Sequence, residues 1–208
     1  MSLIVVANPK GGVGKSTLST NLAGWFAAQG EPVVLGDMDR QQSARTWLRL
    51  RPEAAATIGA WDVAEGEPLK LPRGTRVAVL DTPANLHGPG FDEMMRRADT
   101  MLVPITPSLF DIYATREFLT RVLTHRRGSR VRVGVVGMRV REGTIAAEQL
   151  HAFIEGLEVP VVGEIRDAQV YVHLAAHGLT VWDVATSRVE RELPQWQPIL
   201  EWVQQETA

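Results

Sequence analysis

Short apolar runs alternate with longer amphipathic stretches along almost the whole chain. Residues 3–7, 32–35, 77–80, 101–105, 131–136 and 159–165 are compact runs rich in Val, Ile and Leu. Runs of that length, without strict alternation, suit strands covered on both faces. Between them the apolar positions return at helical spacing. Leu18, Leu22 and Phe26 lie four residues apart, and Gly30 follows as a helix stop. Residues 41–50, 91–98, 111–125, 144–156 and 191–205 carry similar helical patterns. Strand–helix alternation predicts an α/β fold, a mostly parallel sheet with helices on both faces. Residues 52–74, with scattered Gly, Pro and Glu, predict an irregular surface excursion instead. In such sheets ligands sit beyond the carboxyl ends of the strands, so unusual residues there carry the functional information.

Composition narrows the chemistry. The 208 residues include no cysteine, which excludes disulfides, zinc-thiolate sites, iron–sulfur clusters and thiol nucleophiles. It also suits a cytoplasmic protein. No apolar run approaches the ~20 residues of a membrane span, and residues 1–7 lack the basic start and long apolar stretch of a signal peptide. The net charge of −2 points to no particular partner. Only three of the 22 basic residues are lysine, and two of them, Lys10 and Lys15, lie close together.

Those two lysines frame the most informative segment. The first strand run leads into Asn8-Pro9-Lys10-Gly11-Gly12-Val13-Gly14-Lys15-Ser16-Thr17, and then into the Leu18/Leu22/Phe26 helix. Strand, glycine-rich turn and helix start are the context of a phosphate loop. Its glycines allow backbone N–H groups to turn inward as an anion nest, and the helix start adds partial positive charge. Lys15 suits the β- and γ-phosphates, Ser16 a Mg²⁺ position, and Thr17 a further phosphate contact. Pro9 stands where the usual pattern has its first glycine.

Lys10-Gly11-Gly12-Val13-Gly14-Lys15-Ser16 resembles the deviant Walker A motif of the ParA/MinD class of P-loop ATPases. The resemblance covers nearly the whole chain and is nearest to the compact ParF-like partition branch. It implies a dimer that sandwiches ATP, with Lys10 reaching the partner's phosphates. A second mobile ammonium would offset charge growing on the γ-phosphate. The first strand begins at residue 3, so the expectation is a single domain over 1–208 with no N-terminal helix-turn-helix.

The acidic strand ends extend the pattern. After the second strand run, Asp37 and Asp39 alternate on an extended segment and share a face. Two carboxylates beside a triphosphate imply a metal or an oriented water. The resemblance makes Asp39 the residue that positions the attacking water and Asp37 a support of the Mg²⁺ shell. Arg40 stands where the family usually has proline. Either aspartate also suits a cap on the helix starting near Gln41. The run at 77–80 ends in Asp81, as a Walker B strand does, with Asp81 holding Mg²⁺ through water. The loop after it, residues 85–90, suits a switch sensing the γ-phosphate; His87 in it reads as an exposed loop histidine rather than a base. Further on, residues 163–172 resemble the adenine-side segment of the small partition ATPases, which implies Arg166 and Asp167 near the base.

From Phe118 to Arg141 there are seven arginines and no Asp or Glu, which leaves −9 for the rest of the chain. Such a segment suits non-specific binding to the phosphate backbone of DNA, through Arg121, Arg126, Arg127 and Arg130. A solvated helix end is the plainer alternative. Arg132 and Arg139, in or near a strand, are candidates to pair with carboxylates. The last helix carries Trp196, Ile199, Leu200, Trp202 and Val203 but, after Arg191, no Lys or Arg; only Glu192, Glu201 and Glu206 are charged. A membrane-surface helix is expected to be basic, so core packing is expected and no membrane partner. The combined expectation is an ATP- and Mg²⁺-dependent hydrolase with weak intrinsic turnover, homodimeric with ATP and nucleoid-associated. It would partition a plasmid or chromosome through a ParB-like adaptor. Alternatives are positioning of a chemoreceptor cluster or carboxysome, a MinD-like membrane regulator, or a small-molecule ligase of the same fold.

Overall fold

The computed structural model describes residues 2–63 and 67–205. The strands are β1 (Ser2–Val6), β2 (Val33–Asp37), β3 (Gly59–Trp61), β4 (Val77–Asp81), β5 (Thr100–Ile105), β6 (Arg132–Val140) and β7 (Val161–Arg166). They form one sheet in the order β3-β2-β4-β1-β5-β6-β7, and every pairing is parallel. The helices are α1 (Lys15–Ala28), α2 (Ser43–Leu50), α3 (Gly88–Arg97), α4 (Leu109–Thr124), α5 (Ile145–Ile154), α6 (Gln169–Ala175) and α7 (Leu193–Gln204).

The apolar runs lack alternation because both faces of the sheet are covered. In β1, Leu3 and Val5 pack into the layer under α3, α4 and α5, with Phe91, Met94, Phe118 and Leu150. Ile4 and Val6 point the other way, toward Leu18 and Leu22 of α1, Trp47 of α2 and Trp196 of α7. At about 25 cal/mol per Å² of apolar surface removed from water, these two layers are the main stabilising term. Trp196, Ile199, Leu200 and Val203 of α7 are buried, as the absence of basic residues led us to expect. Glu206 and residues 64–66 of the 52–74 segment lie outside the described residues.

Two elements depart from the sequence reading. The 52–74 segment carries β3, and Trp61 in it is buried with its indole N–H donating to the Lys70 carbonyl at 2.8 Å. Three residues are too few for a periodic signal, and the pairing with β2 supplies the order. α6 is the second: it is seven residues long, and only Tyr171 and Leu174 in it are buried.

Candidate functional site

β1 delivers the chain to the carboxyl edge of the sheet at its centre, and the glycine-rich segment turns there into α1. Gly12 and Gly14 take positive φ values of 77° and 94°, which glycine adopts without a Cβ penalty. Gly14 is the N-cap, and no side chain caps the helix. The free N–H groups of the first turn therefore remain an anion site. The loop is held from behind by Asn8, which is buried. Its amide donates to the Pro104 carbonyl at 2.8 Å and to Thr115 Oγ1 at 2.9 Å, while its Oδ1 accepts from the Lys10 N–H at 2.8 Å. The sequence reading gave Asn8 no role, although an Asx-type turn before a glycine loop is a legible signal.

The loop borders a cavity of about 630 Å³. Gly11, Gly12, Gly14, Lys15, Ser16 and Thr17 form one wall, Asp39, Arg40, Gln41 and Ser43 a second, and residues 83–87 with Arg139 complete it. Lys15 is buried, and its Nζ donates to the Lys10 carbonyl at 2.6 Å. Burial lowers the Lys15 pKa, opposed by the charges of Asp81 and Asp39. An ammonium resting on a carbonyl at the mouth of an anion nest can exchange that contact for a phosphate oxygen.

Behind the loop, Ser16 Oγ donates to Asp81 Oδ2 at 2.6 Å. The other oxygen, Asp81 Oδ1, is buried without a partner. Burial pushes the Asp81 pKa up to about 7; the Ser16 hydrogen bond and Lys15 counter this, and Asp37 and Asp39 add to it. A rise of that size corresponds to roughly 4 kcal/mol of disfavour for the charged form. A hydroxyl and an orphaned carboxylate oxygen at the foot of an anion nest form a donor set suited to Mg²⁺ shared with phosphate.

The two aspartates at the end of β2 are used differently. Asp37 is buried, and its oxygens accept from the backbone N–H of Asp39 at 2.9 Å and of Arg45 at 3.1 Å. It fixes the turn into α2, the capping alternative left open by the sequence, and it does not line the cavity. Burial raises its pKa, opposed by those backbone hydrogen bonds. Asp39 does line the cavity, accepting from the Gln41 N–H at 3.0 Å. On the opposite rim, the Asn85 N–H donates to the Pro9 carbonyl at 3.0 Å, and His87 is exposed.

Arg166 and Asp167 do not line this cavity. Arg166 Nε lies 3.4 Å from Glu192, and Arg141 Nε donates to Asp167 at 2.8 Å. The arginine-rich segment is divided between the two ends of the sheet. β6 separates Arg132 from Arg139 by roughly 22 Å. Among the described residues Arg132 pairs with no carboxylate: it donates to the Trp202 carbonyl at 2.6 Å and stacks on that indole at 4.5 Å. Arg139 pairs with no carboxylate among the described residues either. Arg121 donates to the Leu86 carbonyl at 2.8 Å and lies 4.2 Å from the Phe91 ring centre. Arg127 donates to the Arg96 carbonyl. Arg126 and Arg130 are exposed, beside the short 3-10 turn Gly128–Arg130.

Comparison with known proteins agrees with this geometry. The profile of the CobQ/CobB/MinD/ParA nucleotide binding domain matches residues 4–181. Maintenance of carboxysome distribution protein A of Halothiobacillus neapolitanus is 27% identical over 188 residues, covering 87% of each chain. The chromosome-partitioning ATPase Soj of Thermus thermophilus is 43% identical over 67 residues, 32% of this chain and 25% of Soj. Among solved structures, McdA of Cyanothece in complex with ATP superposes with a TM-score of 0.74 at 15% identity, covering 100% of this chain and 98% of McdA. A plasmid partition protein of Borrelia burgdorferi bound to AMPPNP gives 0.73 at 15%, covering 97% and 99%. At those identities the structural likeness is one of fold. The chain belongs to the CobQ/CobB/MinD/ParA nucleotide-binding family, and within it is a ParA-type ATPase with the deviant Walker A loop.

Proposed function

We propose that this chain hydrolyses ATP with Mg²⁺, pairs with a second copy when ATP is bound, and in that state binds DNA without sequence preference to place a cargo. The observation that carries the reading is the linked set of Lys15, Ser16 and Asp81 beneath an uncapped helix start. The backbone N–H groups of residues 11–17 hold the phosphate chain, and Lys15 leaves the Lys10 carbonyl to meet the β- and γ-phosphates. Ser16 and Asp81 would hold Mg²⁺. The ion, when bound, neutralises charge on the β- and γ-phosphate oxygens. Asp39 orients the attacking water from the facing wall. Asp37 acts one step back, by fixing the turn that carries Asp39. Lys10 reaches a partner's phosphates, as in the family the motif resembles. Arg166 and Asp167 remain proposed for the base side, with Asp167 exchanging Arg141 for the nucleotide.

Arg126 and Arg130 are the DNA contacts best supported by exposure, with Arg121 and Arg127 contributing from partly engaged positions. One such patch binds weakly, and pairing two of them in a dimer raises the effective concentration of the second. That links DNA binding to ATP. A ParB-like or cargo-bound adaptor then discharges the dimer by speeding a slow intrinsic hydrolysis. Plasmid or chromosome partition and positioning of a protein assembly both follow from this cycle. The near full-length match to a carboxysome distribution protein favours keeping the second beside the first. The buried apolar face of α7 leaves no free stripe there for a membrane-surface role.

Light scattering on the Asp39→Ala variant tests the core of the proposal. A dimer is expected with ATP and Mg²⁺ and a monomer with ADP. A monomer in both states would contradict it.

A further inference from the structure

The reading of the cavity as a nucleotide site leaves Arg139, on its wall, without a task. Arg139 has φ 55°, in the left-handed region that a Cβ makes unfavourable. Among the described residues only Gln42 and Asn85 share that feature without being glycine. Asn85 lines the same cavity, and Gln42 lies between two lining residues, Gln41 and Ser43. Backbone strain gathered round one cavity is the pattern of a ligand site.

The origin of the strain is a bulge. After an earlier shift between Val135 and Val136, β6 and β7 run in register from Val136↔Gly163 to Met138↔Ile165, and the register slips again before Val140. In an unbroken strand, residues 138 and 140 would share a face. Here Met138 enters the layer under α1, α6 and α7, while Val140 enters the opposite layer. Arg139 is the extra residue, expelled from both layers at the carboxyl edge. Next to it, a Cβ added at Gly14 would stand 2.8 Å from Met138 Cε, so the bulge abuts the phosphate loop. Its guanidinium has no hydrogen-bond or ion-pair partner among the described residues.

The sheet order fixes the side from which it approaches. β2 and β4 lie on one side of β1, and β6 lies on the other. Asp39 and Asp81 therefore come from one flank and Arg139 from the opposite one. We propose that Arg139 is a nucleotide-binding residue that grips the phosphate chain from the flank facing the carboxylates. This rests on the nucleotide reading and adds a contact to it. A planar guanidinium offers paired donors to phosphate oxygens and keeps its charge at any working pH. A glycine at this φ would be less strained, so a guanidinium here points to use of the side chain.

The test compares Arg139→Gly, Arg139→Lys and Lys15→Ala in competition titrations with ATP, ADP and adenosine, alongside melting curves. Arg139→Gly removes the side chain and relieves the backbone together. It is expected to melt at or above wild type, yet to bind ATP and ADP about tenfold more weakly with adenosine unchanged. Arg139→Lys is expected to recover part of the loss. Wild-type affinity for ATP in Arg139→Gly overturns the proposal, and so does an equal loss for adenosine, which would mean a base contact. Loss of ATP in Lys15→Ala alone keeps the cavity reading while Arg139 fails. If wild type itself takes up no ATP, the cavity reading fails first and this proposal with it.

Discussion

The two ends of the parallel sheet hold charge in opposite ways. At the carboxyl edge Lys15, Asp37 and Asp81 are buried beside one another, and each is held by a specific donor or acceptor. At the amino edge Arg126 and Arg130 stand in solvent. A buried charge is costly to hold, so each such residue implies a use, and changing one changes the site. An exposed arginine costs little and is screened by salt, so only the sum over several carries information. Function at the first end resides in single residues, and at the second in a total.

Substitutions can break this contrast. Lys15→Ala should have the largest effect, lowering ATP affinity by about a hundredfold or more, measured by calorimetry. Retained affinity would place the phosphates elsewhere. Asp39→Ala should keep ATP binding while turnover in a phosphate-release assay falls by about 10²-fold, the lower end of what a positioned acid–base group supplies. Wild-type turnover would assign the water to another residue. At the amino edge, Arg126→Glu should weaken DNA binding severalfold, and adding Arg130→Glu about tenfold or more, with melting temperature and ATP affinity unchanged. A collapse of DNA binding on the first change alone would contradict the additive picture.

The smallest effect concerns pH. Asp81 has a folded pKa of about 7 against 3.8 for the free side chain. The apo protein therefore gains stability below pH 3.8 relative to alkaline pH, and loses it as pH rises through 7. Mg²⁺ needs the ionised form, so the Mg²⁺-dependent part of ADP binding should strengthen by up to about tenfold between pH 6 and pH 8. A flat profile would show that Asp81 is already ionised without the metal.

The carboxyl edge was the more legible end because its chemistry is contiguous in sequence. Residues 10–17 announce strand, nest and helix together, and Asp81 follows an unbroken apolar run. Six of the seven strands and the two-sided core follow from the same runs, whereas the strand order does not. The loss of legibility has physical reasons. β3 is three residues long and owes its order to β2. Asp37 and Asp39 look equivalent by spacing, and only the fold shows one oxygen pair turned to backbone amides. The arginine count from 118 to 141 reads as one patch in sequence, yet β6 runs straight through it and sends Arg139 to the nucleotide end. A bulge of one residue leaves no trace in hydrophobic periodicity.

In the proposed cycle, ATP at the carboxyl edge controls DNA binding by the amino edge. A titration of wild-type protein onto non-specific DNA with Mg²⁺ and ATP, ADP or no nucleotide, repeated across salt concentrations, tests it most directly. Tight, salt-sensitive binding is expected with ATP, and binding at least tenfold weaker in the other two states. Equal affinity in all three would contradict it.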